Sequence, residues 1–119
     1  MKQSDIKVLR LEVGKLPVLV TIPNTLAAFQ KEVGGYIEPI MFHDGRGKPT
    51  RMILYVNEDG HRLHLPFNMQ LGPQDGSIHI LGNALVVHHG DKGLTRTDIT
   101  TLAGLLGAIK EEVPEQILT

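Results

Sequence analysis

From Ile6 to Val13, the apolar residues Ile6, Val8, Leu9, Leu11 and Val13 largely alternate with Lys7, Arg10 and Glu12, which is the period of a half-buried strand. Val18 to Ile22 repeats the pattern, and Gly14-Lys15-Leu16-Pro17 between them is turn material, so the two segments predict an N-terminal hairpin. Beyond Pro23 the period changes. Leu26, Phe29 and Val33 fall on one face of a short helix from Thr25 to about Val33, with Asn24 placed to cap it and Gly34 to end it. Tyr36 to Phe42 favours a strand, with Pro39 implying a sheet edge or a bulge.

Residues 43–51, His43-Asp44-Gly45-Arg46-Gly47-Lys48-Pro49-Thr50-Arg51, have the residues of a loop, and Met52 to Val56 those of a strand. Asn57-Glu58-Asp59-Gly60 suits a tight turn, and the alternation of Arg62 and His64 with Leu63 and Leu65 predicts a second hairpin across it. Pro66 to Ser77 has no sustained period and is expected to be an irregular connection. Ile78 to Leu81 and Ala84 to His88 form either a strand pair or one strand broken at Gly82-Asn83.

The last element has agreeing start and stop signals. With Thr95 as N-cap, Asp98 stands at N3 where its charge meets the positive end of the helix dipole, and Leu94 and Ile99 are placed as a hydrophobic staple. Ile99, Leu102, Leu105, Leu106, Ile109 and Val113 form one stripe, and Pro114 limits it. Burial of such a stripe contributes about 1.5 to 3 kcal/mol per large side chain before entropy is deducted. Short connections leave little room for crossover helices, which predicts an α+β domain: a mostly antiparallel sheet with two helices packed on one face.

Length and charge narrow the function. At 119 residues the chain fits a single domain, with its core from about residue 6 to 112. Twelve Lys and Arg against thirteen Asp and Glu leave a net charge of −1, which provides neither the basic stripe of an extended nucleic-acid binder nor the dense acidic surface of a DNA mimic. With no cysteine there are no disulfides, thiolate metal sites or cysteine nucleophiles. No segment approaches the ~18 apolar residues of a membrane span, and Met1 to Asp5 lacks the apolar run of a signal peptide, so a cytoplasmic protein is expected.

Catalytic chemistry is thinly supplied. His61 and His64 would diverge to opposite faces of a strand, as would His88 and His89, and although His79 and His88 could meet across strands, no carboxylate is spaced to complete a ligand set. Serine occurs only at Ser4 and Ser77, without a nucleophile-elbow pattern. Glu58 and Asp59 are accounted for by their turn. The best electrostatic opportunity is the loop at 43–51, where Arg46, Lys48 and Arg51 surround two glycines that let backbone amides approach an anion. It lacks the order of a Walker loop or a dinucleotide fingerprint.

Read together, the hairpin, Asn24-Thr25-Leu26, Val33-Gly34-Gly35-Tyr36-Ile37-Glu38, Asn57-Glu58-Asp59-Gly60, Leu65-Pro66-Phe67-Asn68 and Ile80-Leu81-Gly82-Asn83 make an ordered set. The set resembles a family of small proteins, widespread in phages and mobile elements of bacteria, described only as a domain of unknown function. Val-Gly-Gly-Tyr-Ile-Glu is its most recognisable piece, and a small residue or second proline often stands where this chain has Phe67. The resemblance implies a habitat and a fold but no reaction. It suggests a non-enzymatic accessory protein that works by occupancy, sequestering a small anionic, nucleotide-type host defence signal. The alternatives are a protein inhibitor of a host factor and a small hydrolase using His61 or His79. Residue chemistry nominates Arg46, Lys48, Arg51, Tyr36, Asn68 and Asn83 as ligand-binding candidates. No cofactor, metal or membrane partner is expected, and exposed sheet edges with a core poor in large aromatics suggest a homo-oligomer.

Overall fold

Alternation in the first two strands has the predicted outcome. In the computed structural model, which describes residues 5–71, 78–90 and 92–111, β1 (Asp5–Leu11) pairs antiparallel with β2 (Val18–Pro23), Val8 standing opposite Val20. Helix α1 (Leu26–Val33) follows, then β3 (Ile37–His43) and β4 (Pro49–Asn57). Next come β5 (Phe67–Leu71), β6 (Ile78–Leu81), β7 (Ala84–His88), α2 (Arg96–Leu106) and the two-residue β8 (Lys110–Glu111). Six strands form one sheet in the order β3-β4-β7-β1-β2-β8, and β5 pairs with β6 separately. Among the described residues, only β8 runs parallel to its neighbour. The fold is α+β and mostly antiparallel.

The two helices do not share a face. Along β1, Ile6 and Val8 pack in a cluster that includes Val33, Ala28 and Phe29 of α1, whereas Leu9 and Leu11 pack in another that includes Leu102, Ile99 and Leu106 of α2. In β7, Ala84 and Val86 join the second cluster and Leu85 and Val87 the first. Central strands apolar on both sides need two covers, and the helices divide the work. The β5–β6 hairpin adds to the α2 side through Met69, Leu71, Ile78 and Ile80.

Pro39 lies on β3, an edge strand, as a residue without an N–H requires; the strand's register shift comes later, between Met41 and His43. Several expectations are corrected. Thr25, not Asn24, caps α1: its Oγ1 accepts from Ala28 N at 3.1 Å because the chain turns at Pro23–Thr25 and brings Thr25 to the cap position. The second hairpin across Asn57–Gly60 does not form. Residues 58–64 wind through successive turns instead, with Leu63 N donating to Asp59 O at 2.8 Å and Leu65 N to Gly60 O at 3.0 Å, and β7 takes the place beside β4. Phe67 to Leu71, expected to be irregular, is a strand because β6 supplies a partner; residues 72–77 of that stretch lie outside the described residues. β6 and β7 belong to different sheets, with Gly82 at φ +77° in the crossing between them.

Helix α2 has the full capping box at Thr95 and Asp98. It ends at Gly107, earlier than Pro114 implied, and Ile109 packs on the core from extended chain; Val113 lies outside the described residues. Arg10 on β1 makes a two-pronged ion pair with Glu32 on α1 at 2.8 and 2.7 Å, fastening that helix to its face. Among the described residues, no helix is long and apolar enough to cross a membrane.

Candidate functional site

Four segments of the ordered motif set, 33–38, 57–60, 65–68 and 80–83, gather at one end of the main sheet, whereas Asn24-Thr25-Leu26 lies at the other end, next to Pro23 opposite Asp5. Gly35 packs so closely on Asn57 that a Cβ there would lie 2.9 Å from Asn57 Nδ2. Buried Asn57 donates from Nδ2 to Val33 O at 3.2 Å and accepts from Asp59 N at 2.8 Å, joining the end of α1 to the turn after β4. Gly60 in that turn lies against Leu81, and Gly82 against Leu65. Asn68 donates to Leu11 O at 2.9 Å and to Gly82 O at 2.8 Å, while Asn83 Oδ1 accepts from Val13 N at 3.0 Å.

These contacts place the sequence-derived candidates. Asn68 and Asn83 spend their amides on backbone groups and hold the β5–β6 hairpin and the β6–β7 crossing to the end of β1. Tyr36 stands at the same end with its ring exposed, its carbonyl accepting from Glu58 N at 2.9 Å. Arg46, Lys48 and Arg51 lie at the opposite end of β3 and β4. The six candidates therefore separate into two groups.

At the basic end, β4 begins at Pro49, so the loop shrinks to residues 44–48. Asp44 organises it: its Oδ1 accepts from Arg46 N at 2.8 Å and Lys48 N at 3.0 Å, and its main chain exchanges bonds with Lys48 O and Gly47 N. These hydrogen bonds, that from Lys48 first and that from Arg46 second, hold the Asp44 carboxyl below its ordinary range. Backbone amides that the two glycines were expected to let approach an outside anion thus serve Asp44 itself, those of Arg46 and Lys48 its carboxylate and that of Gly47 its carbonyl. The side chains of Arg46 and Lys48 stay on the exposed hairpin.

Two depressions flank this end. One, of about 400 Å³, is lined by Arg51 and His89 over Pro39, Met41 and Ile53. Register places these on the face that α1 covers further along, where Phe29 stacks on Tyr55 at 5.4 Å: Ile53 lies opposite Met41, and His89 N donates to Arg51 O at 2.6 Å. The other, of about 550 Å³, opens between the β3–β4 hairpin, the β5–β6 hairpin and the end of α2.

One pairing escapes the sequence. His88 Nδ1 and Asp98 Oδ2 are 2.7 Å apart and both residues are nearly buried, so a carboxylate does complete one histidine. Asp98 Oδ2 also accepts from Thr95 N at 2.9 Å, which ties the cap of α2 to the end of β7. The capping box was visible in the sequence, but nothing in the spacing pointed to His88. His79, expected to approach His88, instead stands opposite Gln70 and meets Phe67 edge to face at 6.2 Å. Among the described residues, no group of three His, Asp or Glu side chains is placed to hold a metal.

No curated protein and no solved structure shows significant similarity to this chain. A family match does exist, and it spans residues 6–107, a stretch that contains every motif at the seam and the whole basic hairpin. With the ordered glycine and asparagine motifs serving as the packing seam of the fold, the chain belongs to the DUF3846 family, a domain of unknown function.

Proposed function

We propose that this chain is a non-enzymatic accessory binding protein of phages or mobile elements that sequesters a small anionic molecule of nucleotide type. The observation that carries the reading is the placement of Arg51 and His89 together on the rim of a depression floored by Pro39, Met41 and Ile53. A guanidinium suits a phosphate, and an apolar floor suits a base. Arg46 and Lys48 on the neighbouring hairpin add positive potential, which speeds the arrival of an anion more than it tightens the complex. The host-defence role rests on the habitat implied by the motif resemblance.

The test is calorimetry of the purified protein against mono-, di- and cyclic nucleotides, followed by recovery of the ligand and its mass. Micromolar binding corresponds to about −8 kcal/mol, and Arg51→Ala is expected to weaken it at least tenfold. Recovery of unchanged ligand supports capture. Altered ligand favours the hydrolase alternative, and no binding by any member of the panel sinks the reading.

A protein partner is the second reading, favoured by the exposed apolar side chains of Tyr36, Leu63 and Phe67 around the motif end. Pull-down from host lysate, lost on Leu63→Asp, tests it. Self-association belongs to the same proposal: among the described residues β3 is an edge strand paired on one side, carrying exposed Met41, and light scattering that returns a strict monomer removes this part.

A further inference from the structure

We propose that the larger depression, between the two hairpins and the end of α2, is a second binding site that takes a neutral aliphatic small molecule. Its walls come from three separate elements: Met41, Phe42 and Leu54 from the β3–β4 hairpin, Leu71 and Ile78 from the β5–β6 hairpin, and Leu105 from α2. A volume of about 550 Å³ falls within the range of small-molecule sites. These largely aliphatic side chains offer an apolar occupant surface that its binding would remove from water.

The site is built rather than left over. The hairpin tip rests directly on the helix end, since a Cβ on Gly45 would come within 3.3 Å of Leu105 Cδ2, and glycine there lets the tip close one side of the space. Phe42 and Leu54 are buried members of the main core, so this wall is rigid. Polar groups share the lining: His43, Gln70 and Asp44. The ionised Asp44 carboxylate, fixed by the Arg46 and Lys48 amides, disfavours an anionic head beside it. A hydroxyl or amide head meets no such charge and can hydrogen-bond to the imidazole or the carboxamide. An uncharged amphiphile with a short alkyl chain follows.

The experiment uses 1-octanol as probe and methyl-resolved NMR of the intact chain. Saturable shifts of the Leu71, Ile78 and Leu105 methyl groups are expected, with octanoate binding at least tenfold more weakly. Leu71→Trp, which fills the space, is expected to reduce octanol affinity at least tenfold; should that variant fail to fold, Ile78→Phe replaces it. Absence of saturable shifts at these methyl groups, unchanged affinity in a folded filled variant, or octanoate binding as tightly as octanol overturns the proposal. The reporting methyl groups do not line the Arg51 depression and the probe carries no charge, so failure here leaves the anion reading standing, and the converse holds.

Discussion

Asp98 reaches from the first turn of α2 to His88 at the end of β7, with 2.7 Å between Oδ2 and the ring Nδ1, while the same oxygen accepts from Thr95 N. One carboxylate oxygen thus caps a helix and pins it to the sheet. Asp98→Ala is expected to lower stability by about 2 to 3 kcal/mol, combining loss of the cap with a stranded imidazole. In urea unfolding, a double-mutant cycle with His88→Ala should give a coupling of about 1 kcal/mol; strict additivity would show that the contact is energetically idle.

Asn68 satisfies two main-chain carbonyls at once, Leu11 O and Gly82 O, and both bonds use Nδ2. Asn68→Ala leaves two acceptors unpaired at a partly buried junction, at an expected cost of about 2 to 4 kcal/mol. Asn68→Asp should be at least as damaging, since an ionised carboxylate has no proton to give either carbonyl. Chemical denaturation of both variants checks the order, and an aspartate variant as stable as the parent would contradict these bonds.

Gly82 and Gly14 have nearly the same left-handed backbone, φ +77° and +76°, in different surroundings. A Cβ on Gly82 would lie 2.8 Å from Leu65 Cδ1, whereas one on Gly14 meets nothing within 4 Å. Gly14→Ala should therefore cost only the conformational strain, about 1 to 2 kcal/mol. Gly82→Ala adds overpacking of about 1 to 3 kcal/mol. Comparing the two melting temperatures separates the terms, and equal losses would show that Leu65 moves aside freely.

Asp44 has a depressed pKa because amides of Lys48 and Arg46 donate to its charged form. A carboxyl that ionises more readily in the folded chain stabilises the fold above its unfolded pKa of about 3.9. That contribution is lost as pH falls through the lower, folded value. The Arg46 and Lys48 amide resonances should titrate with a midpoint below that of an unstructured aspartate, and Asp44→Asn should abolish the titration. A midpoint at or above the ordinary value would mean that the hydrogen bonds are absent in solution.

How far the sequence could be read depended on the range of the interaction. Alternation in Ile6–Val13 and Val18–Ile22, the Thr95–Asp98 box and the demotion of Pro39 to an edge are local consequences of side-chain period, capping and a missing N–H, and each is borne out except that the first strand stops at Leu11, before Glu12 and Val13. Local alternation misled at Arg62–Leu65, where an apparent strand had no neighbour to pair with because β7 had taken the place beside β4. At Phe67–Leu71 a weak pattern became a strand once β6 lay alongside.

The chain by itself determined which segments are strands or helices where their apolar period is strong, and it determined an α+β domain rather than a bundle. Only the tertiary structure decided that α1 and α2 take opposite faces, that Asn68 and Asn83 belong to the packing seam, and that Arg51 shares a depression with His89. The physical reason is that a period reports which side of a strand is apolar, while strand order, and with it the neighbours of every side chain, follows from pairing between residues far apart in the chain.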